Sequence, residues 1–527
     1  MNVANTSAPT GPLDRVLDWI ERTGNRLPEP FMLFVLLTLV VAVVSSAMAA
    51  FGVTVTIPGE TEVTPIRGAF SGAGLEWIFT GLAENFIGFP PLRTVVTIML
   101  AVGLAERTGM LAALIRLAFS RAPRWLLPYA LGFVGVSANV MSDSAFIIIP
   151  PLAAIVFKAA GRHPVAGLIG GFAAVGAGYS TSLLVTSLDA LFAGITNGVA
   201  ATLPMAGTPV TPISNYFFNA VSAIVLSLIA GVIIDRVVEP GLVRTAFPDT
   251  EVDADERATA QGADDTPVRA NVTDTERRGL RAAGVALLLL TVAVLVLVLV
   301  PASPLRNDTG GYLPKSPLLD SVVTLVFLAF FVPALTYGIW AGVIRRGADV
   351  PLLMGRALKD LSGFIVLAFI LGQFIALFAW TNIGAWLAVS GARLLETIGL
   401  TGFPAILGFV VLASLLNLFI VSGSSLWTLM ASVFVPLFLL LGYEPGFVQG
   451  AFRVGDAATQ VMTPLNPYMI VLLTFVRRYQ PGAGLGTVIA KMVPFVVPFW
   501  MAWVLVLTAF YAFDIPLGPG VDVRIGE

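Results

Sequence analysis

In FVQGAFRVGDAATQVMTPLNPYMIVLLTFV (447–476), Arg453 and Asp456 stand three apart in an otherwise uncharged run long enough to cross a bilayer. A charge at mid-bilayer depth costs about 2.5–3.5 kcal/mol even on the lenient insertion scale, so such residues face a protein interior or a wet cavity. Three-residue spacing makes the two neighbours on one helical face, either a mutually neutralising pair or an arginine anchoring an acidic solute beside a titrating carboxylate. Asp189, in TSLDALFAG, is the only charge in its own crossing and has no local partner. The single histidine, His163, lies at a predicted helix start and reads as an interfacial turn residue. With no membrane histidine, carboxylates are the titrating groups. Asp189 and Asp456 are therefore the candidates for ion or proton coupling, and Arg453 is the anchor for an acidic substrate.

Both crossings that carry these charges should break. One has Gly176 and Gly178 followed by Tyr179-Ser-Thr-Ser182; the other has Gly455 with Thr459, Gln460, Pro464 and Pro467. Gly and Pro release backbone carbonyls, which in a membrane need an ion, water or a neighbouring helix as partner. Two further apolar segments, 126–161 and 403–442, are interrupted by polar tips and read as re-entrant hairpins. Ser142, Asp143 and Ser144 precede the return helix of the first; Ser422, Gly423, Ser424 and Ser425 precede that of the second. Small hydroxyl residues cap free helix N–H groups, and the same N–H groups bind carboxylates, which makes Ser144 and Ser424 candidate substrate contacts. Asp143 suits an N-cap or a functional role equally. Asn417, before the second tip, offers an amide oxygen suited to Na⁺, a site it would share with Asp456. Trp427, just past that tip, is expected to stack on an aromatic substrate.

The chain that must position these residues has 527 residues, 57% hydrophobic and 12% charged, about half the charge of an ordinary soluble protein. It is an integral membrane protein, and its apolar stretches have helical rather than barrel length. There is no cysteine, which excludes disulfides, thiol catalysis and thiolate metal sites. A net charge of −2 selects no partner class, and nothing suggests nucleic acid. The N-terminus lacks a cleavable signal pattern.

Nine full crossings are expected near 30–52, 89–107, 164–196, 212–237, 278–301, 317–344, 361–383, 447–475 and 487–514. The expected fold class is an all-α polytopic membrane protein with nine transmembrane helices plus two re-entrant hairpins in an inverted repeat. Lys and Arg collect on the side of the N-terminus, which places the N-terminus in the cytoplasm and the C-terminus outside. Shifting the chain by 279 lays GFAAVGAGYSTSLL (171–184) over GAFRVGDAATQVMT (450–463), and within one residue lays the first hairpin tip over the second. An odd number of crossings separates the copies, so the second is inserted upside down, the layout of secondary transporters whose site lies where the repeats meet. The organisation is thus a cytoplasmic N-terminus (1–28), a first helix and outer loop (29–88), repeat 1 (89–237), an acidic cytoplasmic linker (238–277), scaffold helices (278–360), repeat 2 (361–514) and a tail (515–527).

ERTGNRLPEPFMLF (21–34), the two hairpin motifs and FRVGDAATQVMTPLNPY resemble the aminobenzoyl-glutamate transporter (AbgT) family, over about residues 12–514. The resemblance implies a dimeric inner-membrane protein that imports p-aminobenzoyl-glutamate or exports sulfonamide antimetabolites by ion or proton coupling. It implies functional positions at Asp189, Asn417, Ser424, Trp427, Arg453, Asp456 and Pro464. No cofactor is expected beyond Na⁺ or H⁺ as coupling ion; the partners are a small carboxylate and the lipid bilayer. Two other classes compete. Val454-Gly455-Asp456 suggests an intramembrane aspartyl protease, but an arginine beside a catalytic aspartate would hold it ionised. A channel or cation/proton exchanger would suit broken helices, but Arg453 in the pathway would repel cations.

Overall fold

A computed structural model describes residues 28–56, 63–120, 122–201, 203, 207–243, 272–300, 303–312, 316–399, 402–463 and 465–526. The N-terminal segment, most of the acidic linker and Pro464 lie outside the described residues.

Helix α1 (Pro30–Ala50) leads into two short antiparallel strands, β1 (Thr54–Thr56) and β2 (Val63–Pro65). Then come α2 (Gly72–Ile87), α3 (Pro90–Arg107), α4 (Met110–Ser120), α5 (Leu127–Ser137), α6 (Ser144–Ala159), α7 (Pro164–Ala177), α8 (Ser187–Ala200) and α9 (Tyr216–Ile233). A π-turn (Ile234–Val238) continues into α10 (Glu239–Val243). After the linker follow α11 (Asp274–Leu299), α12 (Pro317–Asp320), α13 (Val322–Trp340), α14 (Asp349–Asp360), α15 (Ser362–Trp380) and α16 (Ile383–Thr397). The last group is α17 (Phe403–Asn417), α18 (Gly423–Leu440), α19 (Pro445–Thr459), α20 (Pro467–Tyr479) and α21 (Leu485–Ala512).

Among the described residues, eight helical stretches are long and apolar enough to cross a membrane. Seven coincide with expected crossings; the eighth, Gly423–Leu440, is the return helix of the second hairpin. The two remaining expected crossings are split, one into α7 and α8 around 178–186, the other into α19 and α20 around 460–466. Each expected hairpin segment forms a pair of helices that meet at a Ser-rich tip, α5 with α6, both short, and the short α17 with the longer α18. Prolines open α1, α3, α7, α19 and α20, where the missing N–H costs nothing. The segment 29–88 differs from its expectation as a helix and outer loop, because α2 fills much of the loop, and the β1–β2 ribbon makes the fold not wholly helical. Helices α2, α4, α14 and α16 run 11–16 residues, below a spanning length, so hydrophobic length alone does not register them.

Burial ranks the helices. Every residue of α7 and of α19 is buried, the first halves of the two broken crossings, as expected of the centre of a helical bundle. In α11, by contrast, only Gly279, Leu280 and Ala283 are buried and most of its other leucines and valines are exposed, as in a helix facing lipid. Close approach to the core is bought by glycine: a Cβ on Gly455 would lie 2.5 Å from Ala413 Cβ and 2.7 Å from the Val410 carbonyl, so α19 and α17 meet backbone to backbone.

Candidate functional site

The unwound segment between α7 and α8 ends at Thr186, whose side chain accepts from the Asp189 N–H while the Asp189 carboxylate caps the Thr186 N–H. This capping box starts α8 and fixes Asp189 in its first turn. Asp189 Oδ2 accepts from Thr186 N at 2.7 Å and Thr186 Oγ1 at 2.8 Å. Asp189 Oδ1 turns the other way, to Arg453 Nη1 at 2.8 Å and Asn219 Nδ2 at 3.1 Å. The ion pair is closed off, with side-chain exposures of 1% for Arg453 and 5% for Asp189.

Arg453 is held on every side. Its Nη1 also donates to the Ser180 carbonyl at 2.5 Å, one of the backbone oxygens freed where α7 stops. Its Nε donates to Asn215 Oδ1 at 3.2 Å, and the end of Gln449 lies 3.2 Å from Nη2. The guanidinium carbon sits 5.2 Å from the centre of the Phe192 ring. Of the two alternatives for Arg453 and Asp456, the mutual pair does not form: Arg453 joins its helix to the break between α7 and α8, and Asp456, three residues on, points elsewhere. A buried charge needs a counter-charge and saturated hydrogen bonds, and Asp189, Ser180, Asn215 and Gln449 together supply them.

Asp456 faces the tip of the second hairpin. A Cβ on Gly423 would lie 3.1 Å from Asp456 Oδ2 and 2.9 Å from the Tyr179 ring, so only glycine lets the start of α18 come this close. Neither Asp456 carboxylate oxygen accepts a hydrogen bond among the described residues, and the same holds for Asn417 Oδ1 and Gln460 Oε1. All three side chains are buried. Asn417 Nδ2 donates to the Asp456 carbonyl and to Thr459 Oγ1 (3.0 Å for the latter), and Gln460 Nε2 lies 3.4 Å from the Val421 carbonyl. With their N–H groups committed to the protein, the amides keep their oxygens free: a set of neutral and anionic oxygens beside a helix N-terminus, the donor type that hard cations take. Among the described residues no three His, Asp or Glu side chains gather as a metal cluster.

The remaining expected residues have definite places. Trp427 is fully buried; its Nε1 lies 3.1 Å from Thr196 Oγ1 and 3.3 Å from the Phe192 carbonyl, and its ring sits 4.6 Å from Phe452, so its aromatic partners here belong to the protein. Ser424 opens α18 with its Oγ 3.2 Å from Ser422 Oγ, while Ser422 is the cap, accepting from Ser425 N. Ser144 opens α6 and donates to Glu106 on α3. Asp143 occupies the N-cap position without capping, and instead receives the Tyr468 hydroxyl from α20. Ser142, beside it, has φ +48°, a strained conformation for a residue with a side chain. Pro464 falls outside the described residues. His163 is the N-cap residue of α7, its N–H on Glu239 Oε1 at 3.1 Å, and Arg162 pairs with Asp235 and Glu239; burial pushes the imidazole below its ordinary range while Glu239 opposes the shift.

The family described as "AbgT putative transporter family" matches residues 15–525. The chain belongs to the AbgT transporter family. An AbgT relative in Escherichia coli K12, named p-aminobenzoyl-glutamate transport protein, is 38% identical over 512 residues, covering 97% of both chains. The YdaH transporter of Alcanivorax borkumensis, whose structure was described as having an unusual topology, is 34% identical with a TM-score of 0.85, covering 93% of this chain and 100% of that one. MtrF of Neisseria gonorrhoeae, described as illuminating a class of antimetabolite efflux pumps, is 33% identical with a TM-score of 0.88, covering 96% and 100%. The AbgT fold is thus that of a multi-pass membrane transporter. Asn215, Asn219, Thr196 and Glu106 are not legible in the sequence because their partners lie on chain-distant helices; the capping role of Asp189 has one local signal, the Thr186-x-x-Asp189 spacing.

Proposed function

We propose that this chain is a coupled secondary transporter of aromatic carboxylates of the p-aminobenzoyl-glutamate type, in which the substrate carboxylate competes with Asp189 for Arg453. The name of the Escherichia coli relative supports the substrate class. The observation that carries the mechanism is the Arg453–Asp189 pair at 2.8 Å, which joins the two broken helices. When a substrate carboxylate takes over the guanidinium, Asp189 is left as a buried carboxylate without a cation. It then takes a proton, since an isolated buried charge costs far more than its neutral form. Proton and substrate anion therefore bind together and cross together; run in reverse, the same cycle exports, the direction named for the MtrF class. Asn417, Asp456 and Gln460 would hold Na⁺ by their free oxygens, and that ion would neutralise the Asp456 charge. We place the protein in a bacterial inner membrane as a homodimer, with the N-terminus cytoplasmic and the C-terminus periplasmic, the last from the Lys/Arg bias. An aspartyl protease reading is disfavoured because Asp189 faces Arg453, so no dyad shares a proton.

The test is flux of labelled p-aminobenzoyl-glutamate into proteoliposomes with H⁺ and Na⁺ gradients imposed separately. Gradient-driven accumulation is expected, with an apparent KM that falls as pH is lowered. A KM independent of pH, or flux indifferent to both gradients, refutes the competition. Saturable cation exchange without solute would favour an exchanger, and peptide cleavage a protease.

A further inference from the structure

Asp189 has a second side-chain partner besides Arg453 and its own cap, and that partner is half used. Asn219, on the first turn of α9, donates from Nδ2 to Asp189 Oδ1 at 3.1 Å, while its own Oδ1 accepts no hydrogen bond among the described residues. Its residue exposure is 3%, so no bulk water serves that oxygen. The backbone at Asn219 is pinned as well: its carbonyl accepts from Thr181 Oγ1 at 2.9 Å, tying α9 to the unwound segment that leads to Asp189. One turn earlier, Asn215 grips Arg453 Nε and donates to the Gly446 carbonyl at 2.8 Å. Two asparagines at four-residue spacing therefore hold the two ends of one ion pair. Arg453 is the cation on Asp189, and Asp456, farther along α19, also acts on Arg453; the other side chains bonded to Asp189 among the described residues, Thr186 and Asn219, are neutral.

A buried amide oxygen without a partner is costly unless another state of the protein uses it. An amide, unlike a purely accepting group, offers a donor and an acceptor that exchange places on a half-turn about its terminal bond. We propose that Asn219 is a positioning residue for the coupling carboxyl group, serving Asp189 in both protonation states. Its Nδ2 donates to the carboxylate, as in this structure, and after a half-turn Oδ1 accepts from the protonated acid. The proton itself stays on Asp189, and Asn219 touches neither substrate nor cation. The inference rests on the proposed proton–carboxylate competition.

The test compares two modes of transport in proteoliposomes: net flux driven by a proton gradient, which requires the empty transporter to cross back with Asp189 ionised, and exchange of labelled for unlabelled p-aminobenzoyl-glutamate at equal pH, which does not. In Asn219→Leu the ionised carboxylate loses a charge-assisted bond and the neutral acid only an ordinary one. Net flux is expected to fall roughly tenfold, equivalent to about 1.4 kcal/mol, while exchange stays within about twofold. Asn219→Gln is expected to recover part of the loss. In Asn219→Asp the added group can donate only when protonated, so net flux relative to wild type at the same pH should be retained at acidic pH and lost as pH rises, a pattern that misfolding does not produce. A wild-type KM unaffected by pH overturns the competition and this inference with it. A pH-sensitive wild type overturns the inference alone if Asn219→Leu keeps full net flux. The same holds if net flux and exchange fall together in Asn219→Leu while Asn219→Asp shows no change with pH.

Discussion

The cross-helix ion pair can be tested by a double-mutant cycle. Asp189→Asn and Arg453→Gln each remove one charge with little change in size. The pair is 2.8 Å long and nearly solvent-free, and stripping one partner from such a pair costs about 3–5 kcal/mol, because the remaining charge is buried without compensation. Unfolding entropy of about 2.1 cal/mol/K per residue, over 527 residues, gives about 1.1 kcal/mol per degree, so each single variant should lose about 3–5 °C of thermal midpoint. The double variant carries two neutral amides that can hydrogen-bond to each other, and should lose about 2–3 kcal/mol less than the sum of the two single losses, a difference that is the interaction energy. Transport should be lost in all three. The measurements are thermal unfolding in detergent and proton-driven flux in proteoliposomes. Additive destabilisation would show that the two charges do not stabilise one another, and a transporting double variant would show that the pair is scaffold and not the coupling element.

Asp456→Asn should behave in the opposite way: the carboxylate has no hydrogen-bond donor among the described residues, so neutralising it should hold or raise the thermal midpoint while ion-driven flux disappears; a clear loss of stability would mean that the carboxylate has a stabilising partner. Gly423→Ala puts a methyl group 2.9 Å from the Tyr179 ring and 3.1 Å from Asp456 Oδ2, and should cut flux at least tenfold with the protein still purifiable; wild-type flux would show that the hairpin tip moves freely there. Deleting 515–527 removes the buried Leu517, Val521 and Val523 and the bonds from Phe218 N to Leu517 O (3.1 Å) and from Glu444 N to Val523 O (3.2 Å). Three buried aliphatic side chains contribute several kcal/mol, so the truncated protein should unfold at a lower temperature and transport less, as read by thermal scanning and flux; an unchanged midpoint would remove the tail from the core.

Much of this protein is determined by local chemistry in its sequence. Hydrophobic length placed the crossings, Gly and Pro placed both breaks, and Ser-rich interruptions placed both hairpin tips, because each of these is decided by a few consecutive residues and the lipid around them. The same reasoning singled out Asp189, Asn417, Arg453 and Asp456, since a charge or amide inside an apolar run is visible without any fold. It leaves open whether Arg453 and Asp456 neutralise each other or act separately. Only the packing of α19 among α8, α9, α17 and α18 decided this: on a helix buried all round, even residues three apart can take different partners, and Arg453 turns to Asp189 while Asp456 turns to Gly423. Trp427 found Phe452 and Phe192, and Asn215 and Asn219 became part of the site, through contacts between segments far apart in the chain. Which donors and acceptors meet across such distances depends on how the helices cross, and helical periodicity in one segment carries no record of that.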